Sequence, residues 1–388
     1  MGRSRAVLAR RRRNEAGRPR RRLLALLGAG SLITALVLAV LAAVLWDDEE
    51  AALEAPPTAE GTAGQVRMIV SVVPIGGNTP RGIQTRESAL AEIDEALDQG
   101  AVGIRLNVDI RWLCPDETCD TEPLAPLVEH AKAREMAVYL HVNSTPTWID
   151  ERGRWYAPLG RDADRWARLF AQFVQRYGSS VDGYEVWNEP NNPSAWEQEP
   201  DADQYADLLK AVWTQSKAVA PSAQIIGAVL SNNDLGYMHQ LSQALEARGG
   251  NASNRYYYDL LGVHPYTGDR GIGFDPGLPP GERSVQTSTG EKDMTFRGVE
   301  RLRAQVAADE GIWRDVVIGE FGYDSTPGNW YYVPEDVRAD YLVSALTISG
   351  EWPWLRGITI YGWNGGTWDG FSLDGTASER AVRELMSR

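Results

Sequence analysis

Short apolar runs alternate with amphipathic segments along most of this 388-residue chain. Each run spans about seven residues and is apolar almost throughout, which is typical of parallel strands buried on both faces. The eight runs lie at 67–74, 102–108, 136–142, 183–189, 224–230, 259–265, 315–321 and 357–363.

The segments between the runs have the spacing of helices. In 162–178, for example, Trp166, Leu169 and Phe170 recur on one face, and Gly178 provides a stop. Helical patterns lie at 87–100, 126–136, 162–178, 202–219, 234–248, 294–310, 336–350 and 376–387.

Eight strand–helix units predict an α/β fold, a (β/α)8 TIM barrel over residues 66–388. A doubly wound open sheet is the alternative, and it usually carries a Gly-rich phosphate loop after its first strand. Here that position reads "VPIGGNTPRG" (73–82), which lacks the GxGxxG spacing.

The amino terminus predicts a membrane anchor. Residues 1–22 hold ten arginines and are expected in the cytoplasm, whereas 23–46 form 24 uncharged, mostly apolar residues, enough for a transmembrane helix. Residues 47–65 are acidic and poor in large apolar groups, which indicates a disordered tether. We therefore expect a single-pass protein of the cell membrane with its main domain outside. Secretion after cleavage of a signal peptide is the alternative.

The net charge and the two cysteines indicate which kinds of partner and metal site this chain could have. The chain has a formal net charge of −14 even with its arginine-rich start, which argues against nucleic acid as a partner. The two cysteines, Cys114 and Cys119 in "CPDETC", predict a small disulfide loop if the domain lies outside the cytoplasm, with two free thiols as the alternative. A zinc site would need more ligands of this kind. The sequence leaves the oligomeric state open.

Polar residues follow the apolar runs at the ends where a barrel places its active site. Because such groups occur at six different units, we expect a functional site at the barrel mouth. They include Arg105, His141, Asn188, Glu189, His264, Tyr266, Glu320 and Trp363. Glu185 lies four residues before Glu189, within the fourth run, and we predict a structural role for it, either paired or at the outer face of the barrel.

Glu189 and Glu320 end the fourth and seventh strands and would face each other across the mouth. Cleavage of a glycosidic bond needs such a pair, one carboxyl to protonate the leaving oxygen and one to attack the anomeric carbon or activate water. A separation of about 5–5.5 Å would predict retention of configuration. The sequence does not give this distance.

The motif "WNEP" (187–190) and the strand-ending glutamate in "GEFG" (319–322), with "HPY" (264–266) between them, resemble the retaining barrel enzymes of glycoside hydrolase clan A. The resemblance covers 66–388. "NEPNN" with "VHPY" is most similar to glycoside hydrolase family 39 and its relatives, which include β-xylosidases and bacterial exopolysaccharide hydrolases. Family 5 endoglucanase-like enzymes are the next resemblance.

The resemblance implies a role for each matching residue. Glu189 would be the acid/base and Glu320 the nucleophile, Asn188 would bind the sugar 2-hydroxyl, and Tyr266 would hydrogen-bond the nucleophile. Arg105 would keep Glu320 ionised, with a plain ion pair in the barrel core as the alternative. Trp363 would form the floor of the sugar subsite, and His141 and His264 would line the cleft.

Loop tryptophans are candidate platforms for sugar rings. Trp112, Trp148, Trp196 and Trp330 follow strands two, three, four and seven, and about half of them are expected to contact substrate, the others being loop anchors. The insert at 266–294 after strand six could cover the cleft or decorate its rim.

The expected activity is hydrolysis of an extracellular or cell-envelope polysaccharide or oligosaccharide, without a cofactor or metal. A non-catalytic carbohydrate-binding barrel is the alternative, although such proteins usually lose a catalytic carboxylate. A metallohydrolase would need clustered ligands. The chain has four histidines, two of them (His130 and His239) in helical segments, and no HxH or HExxH spacing.

Overall fold

A computed structural model describes residues 65–79, 82–153, 156–196, 199–267, 275–329, 331–363 and 369–387. Eight parallel strands in this part of the chain close into a barrel in which each strand pairs with its neighbours in sequence and β1 pairs with β8. This confirms the predicted (β/α)8 barrel. The strands are β1 Met68–Val72, β2 Gly103–Asp109, β3 Ala137–Asn143, β4 Gly183–Val186, β5 Ile225–Ser231, β6 Leu260–His264, β7 Val316–Phe321 and β8 Leu355–Ile360.

Helices connect the strands and surround them. Six of the eight predicted helical segments agree with observed helices to within two residues at both ends, because their apolar stripes pack on the barrel. The helices are α1 Arg86–Asp98, α2 Ile110–Leu113, α3 Ala125–Lys132, α4 Arg161–Tyr177, α5 Pro193–Trp196, α6 Ala202–Val219, α7 Leu235–Ala247, α8 Gly298–Glu310, α9 Glu335–Gly350 and α10 Ala377–Met386.

Four boundaries differ from the sequence pattern by three or four residues, and one of them is the end of β8 at Ile360, where the pattern continues to residue 363. Helix α3 ends at Lys132, four residues early, because Glu135 has a left-handed backbone (φ 61°) that no helix continues. Helix α8 begins at Gly298, four residues late, because the Asp293 carboxylate holds Thr295 in a turn. Strand β4 ends at Val186, three residues before Glu189.

The barrel interior is layered. Ile69, Tyr139, Ile226 and Val317 come from the four odd-numbered strands and pack into one buried cluster, the arrangement expected of such barrels. Nearer the carboxyl ends of the strands, the inward positions are polar, beginning with Arg105 on β2. The apolar layer therefore closes the barrel beneath a polar one.

A hairpin lies beside the mouth. Its strands, Ser284–Thr287 and Gly290–Asp293, belong to the insert after β6, and the second strand pairs with Asn233–Asp234 just beyond β5. The Lys292 ammonium lies 3.3 Å from the buried Asp234 carboxylate. This part of the insert therefore docks at the carboxyl end of the barrel, and residues 268–274 lie outside the described residues.

The predicted disulfide between Cys114 and Cys119 is present. No helix in the described ranges has the length and apolarity needed to cross a bilayer. The segments predicted as cytoplasmic (1–22), transmembrane (23–46) and tether (47–65) lie outside the described residues, apart from residue 65, so these assignments stay predictions.

Candidate active site

Glu189 and Glu320 meet at the barrel mouth, as predicted. A side chain from a third strand, His264 of β6, stands between them, with its Nδ1 3.0 Å from Glu189 Oε1 and 3.8 Å from Glu320 Oε2. One oxygen or nitrogen atom from each of the three residues lies within 4.8 Å of the others. One oxygen of Glu189 thus lies within 4.8 Å of one oxygen of Glu320, which is closer than the about 6.5–9.5 Å between the carboxyl groups of inverting glycosidases.

Glu320 is held by two donors. The Arg105 guanidinium donates to its Oε1 over 3.2 Å, and the Tyr266 hydroxyl donates to its Oε2 over 3.2 Å. Both contacts agree with the roles that the family resemblance implies. Burial raises the pKa of Tyr266 well above 10, so the phenol keeps its proton and remains a donor at neutral pH.

Arg105 also forms an ion pair in the barrel core, which was the alternative predicted for this residue, and its predicted effect on the charge of Glu320 stays a prediction. Its Nε and Nη2 bind the Glu185 carboxylate, the closest contact being 2.7 Å. Burial lowers the pKa of Arg105, but the charges of Glu185 and Glu320 raise it more, and the guanidinium stays charged. Glu185 is 1% exposed. Glu185 is therefore paired, which was the first of the two alternatives predicted for it. It lies inside the barrel and not at the outer face.

The loop after β4 shapes the environment of Glu189. The backbones of Trp187 and Glu189 are left-handed, with φ of 68° and 46°, and the Glu189 N–H donates to Val229 O over 3.0 Å. Strained backbone of this kind clusters at functional sites. These turns carry Glu189 out of the strand and aim its side chain at His264.

Two asparagines that the sequence reasoning missed support this loop. Asn192 donates to Glu189 Oε2 over 2.8 Å. Asn191 donates to Ser231 O and to the Asp234 carboxylate, and it accepts from the Ser231 N–H, which fastens the loop to the end of β5. The signal was the second half of "NEPNN", in which both asparagines follow Glu189 after a single proline.

The charge of Glu189 is set by opposing effects. Burial raises its pKa, but the hydrogen bond and charge of His264, with the Asn192 hydrogen bond, bring the pKa below its ordinary value of 4.5. Conversely, burial lowers the pKa of His264, but the charges of Glu320 and Glu189 raise it above 6.5. In the ligand-free site the two residues therefore favour a carboxylate and an imidazolium, and the shared proton lies on His264.

Asn188 presents a buried acceptor. Its side-chain Oδ1 has no hydrogen-bond partner among the described residues. Buried polar atoms are almost always paired in native proteins. Asn188 directly precedes Glu189 in the chain, and its predicted contact with a sugar hydroxyl stays a prediction.

His141 lies in the polar layer and is almost fully buried. Burial lowers its pKa far below 6.5, and the charges of Arg105 and His264 lower it further, so its imidazole is neutral. Its Nε2 lies 3.4 Å from the Asn143 amide. It belongs to the packed interior beneath the mouth, and the predicted contact with substrate stays untested.

Two tryptophans predicted to bind substrate do not reach an open cleft. Trp196 has no exposed surface, because its ring packs edge-on between Trp187 and Tyr205. Trp363 is 3% exposed and donates its indole N–H to Gln99, in the turn before β2. A sugar needs a free aromatic face, so Trp196 is one of the loop anchors that the sequence reasoning also expected, and the role predicted for Trp363 stays a prediction.

The remaining loop tryptophans differ among themselves. Trp148 is half-buried, donates to Cys114 O over 2.9 Å and has the Arg165 guanidinium 5.1 Å from its ring centre, so it braces the disulfide loop. Trp112 is 78% exposed and remains a candidate platform. Trp330 lies outside the described residues.

Other aromatic side chains pack around Tyr266, the residue that donates to Glu320. The Tyr266 ring lies 5.1 Å from that of Tyr331 and 6.3 Å from that of Phe371, and Phe371 also contacts Tyr361. The sequence reasoning missed all of these except Tyr266, because Tyr331 and Phe371 come from loops with no repeating pattern. Together with Tyr266 they form one aromatic cluster beside the proposed nucleophile.

A metal site is a poor fit to these residues. Glu189, His264 and Glu320 are the one group in the described ranges with the spacing of metal ligands. However, Arg105 already places a fixed positive charge 3.2 Å from Glu320, which opposes a cation there. The donor set suits proton transfer and nucleophilic attack better.

No family model matches the sequence, and no curated protein matches it. Solved structures do match. A family 39 glycoside hydrolase from the gut symbiont Bacteroides cellulosilyticus has a TM-score of 0.60 at 17% identity, over 84% of this chain and 64% of that one. This chain thus spans less than two thirds of that enzyme.

Two further structures are similar over most of the chain. A monomeric β-xylosidase from Caulobacter crescentus has a TM-score of 0.56 at 16% identity, covering 84% of this chain and 69% of that one. The virulence factor SghA from Agrobacterium tumefaciens has a TM-score of 0.54 at 17% identity, covering 84% and 97%. The chain therefore shares the (β/α)8 fold of proteins that include family 39 glycoside hydrolases.

Proposed function

We propose that this protein is a retaining glycoside hydrolase that cleaves a polysaccharide or oligosaccharide by double displacement. The observation that carries the proposal is the placement of Glu189 and Glu320, whose facing oxygens lie within 4.8 Å of each other. The family resemblance and the fold shared with glycosidases support it. A binding protein would have no need for two carboxylates at this separation.

In the first step, Glu320 attacks the anomeric carbon while Glu189 protonates the leaving oxygen, which produces a covalent glycosyl–enzyme ester. Arg105 and Tyr266 hold the two Glu320 oxygens and aim one of them at the sugar. Asn188 accepts from a sugar hydroxyl, a contact that strengthens in the transition state.

In the second step, Glu189 removes a proton from water, and the resulting hydroxide displaces Glu320 from the sugar. Because the sugar is attacked twice from opposite faces, its configuration is retained. The same Glu189 side chain thus serves as acid and then as base, with Asn192 fixing one of its oxygens throughout.

We also place the barrel outside the cytoplasm. The arginine-rich start and the apolar segment 23–46 support a membrane anchor with the barrel outside. The Cys114–Cys119 disulfide supports the same compartment, because such bonds persist mainly in oxidising surroundings. Secretion after cleavage remains the alternative, and a protease-protection assay on intact cells distinguishes a tethered barrel from a released one.

The test is release of reducing ends by the full-length chain from β-glucans, xylans, mannans, galactans and bacterial exopolysaccharides. Glu189→Gln and Glu320→Gln preserve side-chain shape and should abolish release. Glu151→Gln, on an exposed loop, is the matched control and should not. Binding of a glycan without release by the folded wild-type protein would favour the non-catalytic barrel, and activity surviving Glu320→Gln would refute the assigned pair.

A further inference from the structure

The ring of His264 occupies a confined position between the two glutamates. It is fully buried, and its Nδ1 donates to Glu189 Oε1 over 3.0 Å while remaining 3.8 Å from Glu320 Oε2. Its opposite atom, Nε2, has no hydrogen-bond partner among the described residues. The ring is therefore held by a hydrogen bond at Nδ1 only. Its position depends on the space around Nε2.

Gly319 provides that space. A Cβ built at this position would lie 2.8 Å from His264 Nε2 and 3.1 Å from Glu185 Oε1. The first distance is shorter than any ordinary contact, and the strand backbone on which the Cβ would stand cannot yield easily. A side chain at 319 would thus push the imidazole away from its site.

The position of Gly319 in the strand links this space to the proposed nucleophile. Gly319 directly precedes Glu320 on β7, and the register between β7 and β8 shifts between Ile318 and Phe321. Such an irregularity can re-aim a side chain beside an active site. The adjacent residues Gly319 and Glu320 therefore have two linked roles. Glu320 is the proposed nucleophile, and Gly319 leaves room for the His264 ring that contacts Glu189.

The charges that face His264 come from several strands. Glu189 and Glu320 favour its imidazolium, whereas Arg105 opposes it. His141 lies close enough for its own pKa to be lowered by His264, and it is neutral. Glu185 is neutralised by Arg105, and the Tyr266 phenol is uncharged. The two proposed catalytic carboxylates are thus the groups that retain a proton on His264.

We propose that Gly319 and His264 form one positioning unit, in which the missing side chain at 319 lets His264 fix Glu189 opposite Glu320 and return a proton to it during the reaction. This inference rests on the proposed function. As Glu320 forms the ester, its negative charge disappears and His264 loses one of the charges that hold its proton. In the same step the Nδ1–H bond breaks, an O–H bond forms on Glu189, and Glu189 delivers that proton to the leaving oxygen as the bond from this oxygen to the anomeric carbon breaks.

The decisive experiment needs no substrate. Histidine-selective ¹⁵N NMR on the full-length chain follows four histidines, and loss of one signal in His264→Asn assigns His264. We expect a wild-type titration above 6.5 and a clear downward shift in Gly319→Ala, because the added Cβ moves the ring away from Glu189. Glu189→Gln, an isostere that removes the charge, should shift it the same way.

A second glycine, Gly227, serves as a control that distinguishes displacement of the His264 ring from a general loss of stability. Gly227 lies on β5, and a Cβ there would meet Tyr258 Cβ at 2.7 Å, so Gly227→Ala strains the barrel without adding an atom beside His264. It should lower Tm and leave the His264 titration unchanged. Equal His264 titrations in Gly319→Ala and the wild type would overturn the proposal.

Kinetics give the second readout once a substrate is known. The alkaline limb of kcat/KM should lie above pH 6.5 in the wild type and move to lower pH in His264→Asn, which keeps a donor but cannot carry the proton. Gly319→Ala should lower kcat more than it raises KM, and the double variant should lose little beyond His264→Asn. If the activity losses of Gly319→Ala and His264→Asn multiplied in the double variant, the two residues would act independently, which would contradict the proposed positioning unit. Absence of hydrolysis in every variant would count against the proposed function and leave the NMR result standing.

Discussion

Nη1 of Arg105 lies 3.2 Å from Oε1 of Glu320, and the rest of the same guanidinium is bound by Glu185 inside the barrel. One buried cation thus joins a structural carboxylate to the proposed nucleophile. Burial removes the screening that weakens such contacts at a surface, so the position of Glu320 depends on a pair formed one layer deeper.

Loss of the Arg105 charge should therefore lower both stability and activity, and a second substitution should restore the stability without restoring the activity. Arg105→Met leaves Glu185 buried and unpaired, and we expect the free energy of unfolding to fall by about 3–5 kcal/mol. Arg105→Met with Glu185→Leu removes both charges and should recover most of that loss in urea unfolding. Activity should stay low in both, because Glu320 still lacks its cation. Recovery of activity in the double variant would show that Arg105 acts only on the fold.

Removal of the Tyr266 hydroxyl should slow the reaction without unfolding the barrel. Hydrogen bonds to charged groups contribute about 1.5–3 kcal/mol, so Tyr266→Phe should lower kcat/KM by roughly 10–100-fold. Tyr257→Phe is the control, since its hydroxyl donates 2.7 Å to Arg248 O, after helix α7. Equal activity losses in the two variants would argue against a role for Tyr266 at Glu320.

The roles of the two glutamates can be separated with activated substrates. In Glu189→Ala, glycosides with very acidic leaving groups such as 2,4-dinitrophenolate need no acid, so the first step should survive, whereas natural glycans should slow by about 10²–10⁴-fold. Azide should restore turnover and give a glycosyl azide of retained configuration. The same treatment of Glu320→Ala should give an azide of inverted configuration. An exchange of these two outcomes would reverse the assignment.

The contact between His264 and Glu189 should stabilise the protein over a limited pH range. The folded-state pKa of His264 is raised, so its contribution is complete below 6.5 and is lost as pH rises through the raised value. The folded-state pKa of Glu189 is lowered, so its contribution is complete above 4.5 and is lost as pH falls through the lowered value. The stability difference between the wild type and His264→Asn should therefore peak between these pH values. Urea unfolding across pH 3–9 measures it, and a difference independent of pH would contradict the ion pair.

Trp112 should matter for long substrates only. Its ring is 78% exposed at the end of β2, and a stacked ring contributes about 0.5–1.5 kcal/mol. Trp112→Ala should raise KM for oligosaccharides by roughly 2–13-fold and leave small aryl glycosides unchanged. Val219→Ala, an exposed apolar position at the carboxyl end of helix α6, is the control. An equal effect on short and long substrates would place Trp112 outside the cleft.

The alternation of apolar runs with amphipathic segments was enough to predict the barrel. Strands that are apolar on both faces must be covered on both faces, and a barrel surrounded by helices covers them. The same alternation was also enough to bring Arg105, Glu189 and Glu320 to one end. The direction of each side chain was harder to predict. Trp196 and Trp363 follow strands as expected, yet both side chains are buried.

The contact between His264 and Glu189 could not be read from the sequence for a related reason. It depends on left-handed backbone at Trp187 and Glu189 and on a missing Cβ at Gly319. Neither feature has a periodic pattern, and the contact itself joins residues 75 positions apart in the chain. Long-range geometry of this kind is set by tertiary packing, which local sequence rules do not encode.

The central claim is that Glu189 and Glu320 act as a retaining pair, and the anomeric configuration of the first product tests it most directly. Proton NMR during hydrolysis of the first active glycan distinguishes the two anomers before they equilibrate. We predict that the new reducing end initially has the configuration of the bond that was cleaved. An initially inverted product would contradict the covalent intermediate on Glu320 and the mechanism built on it.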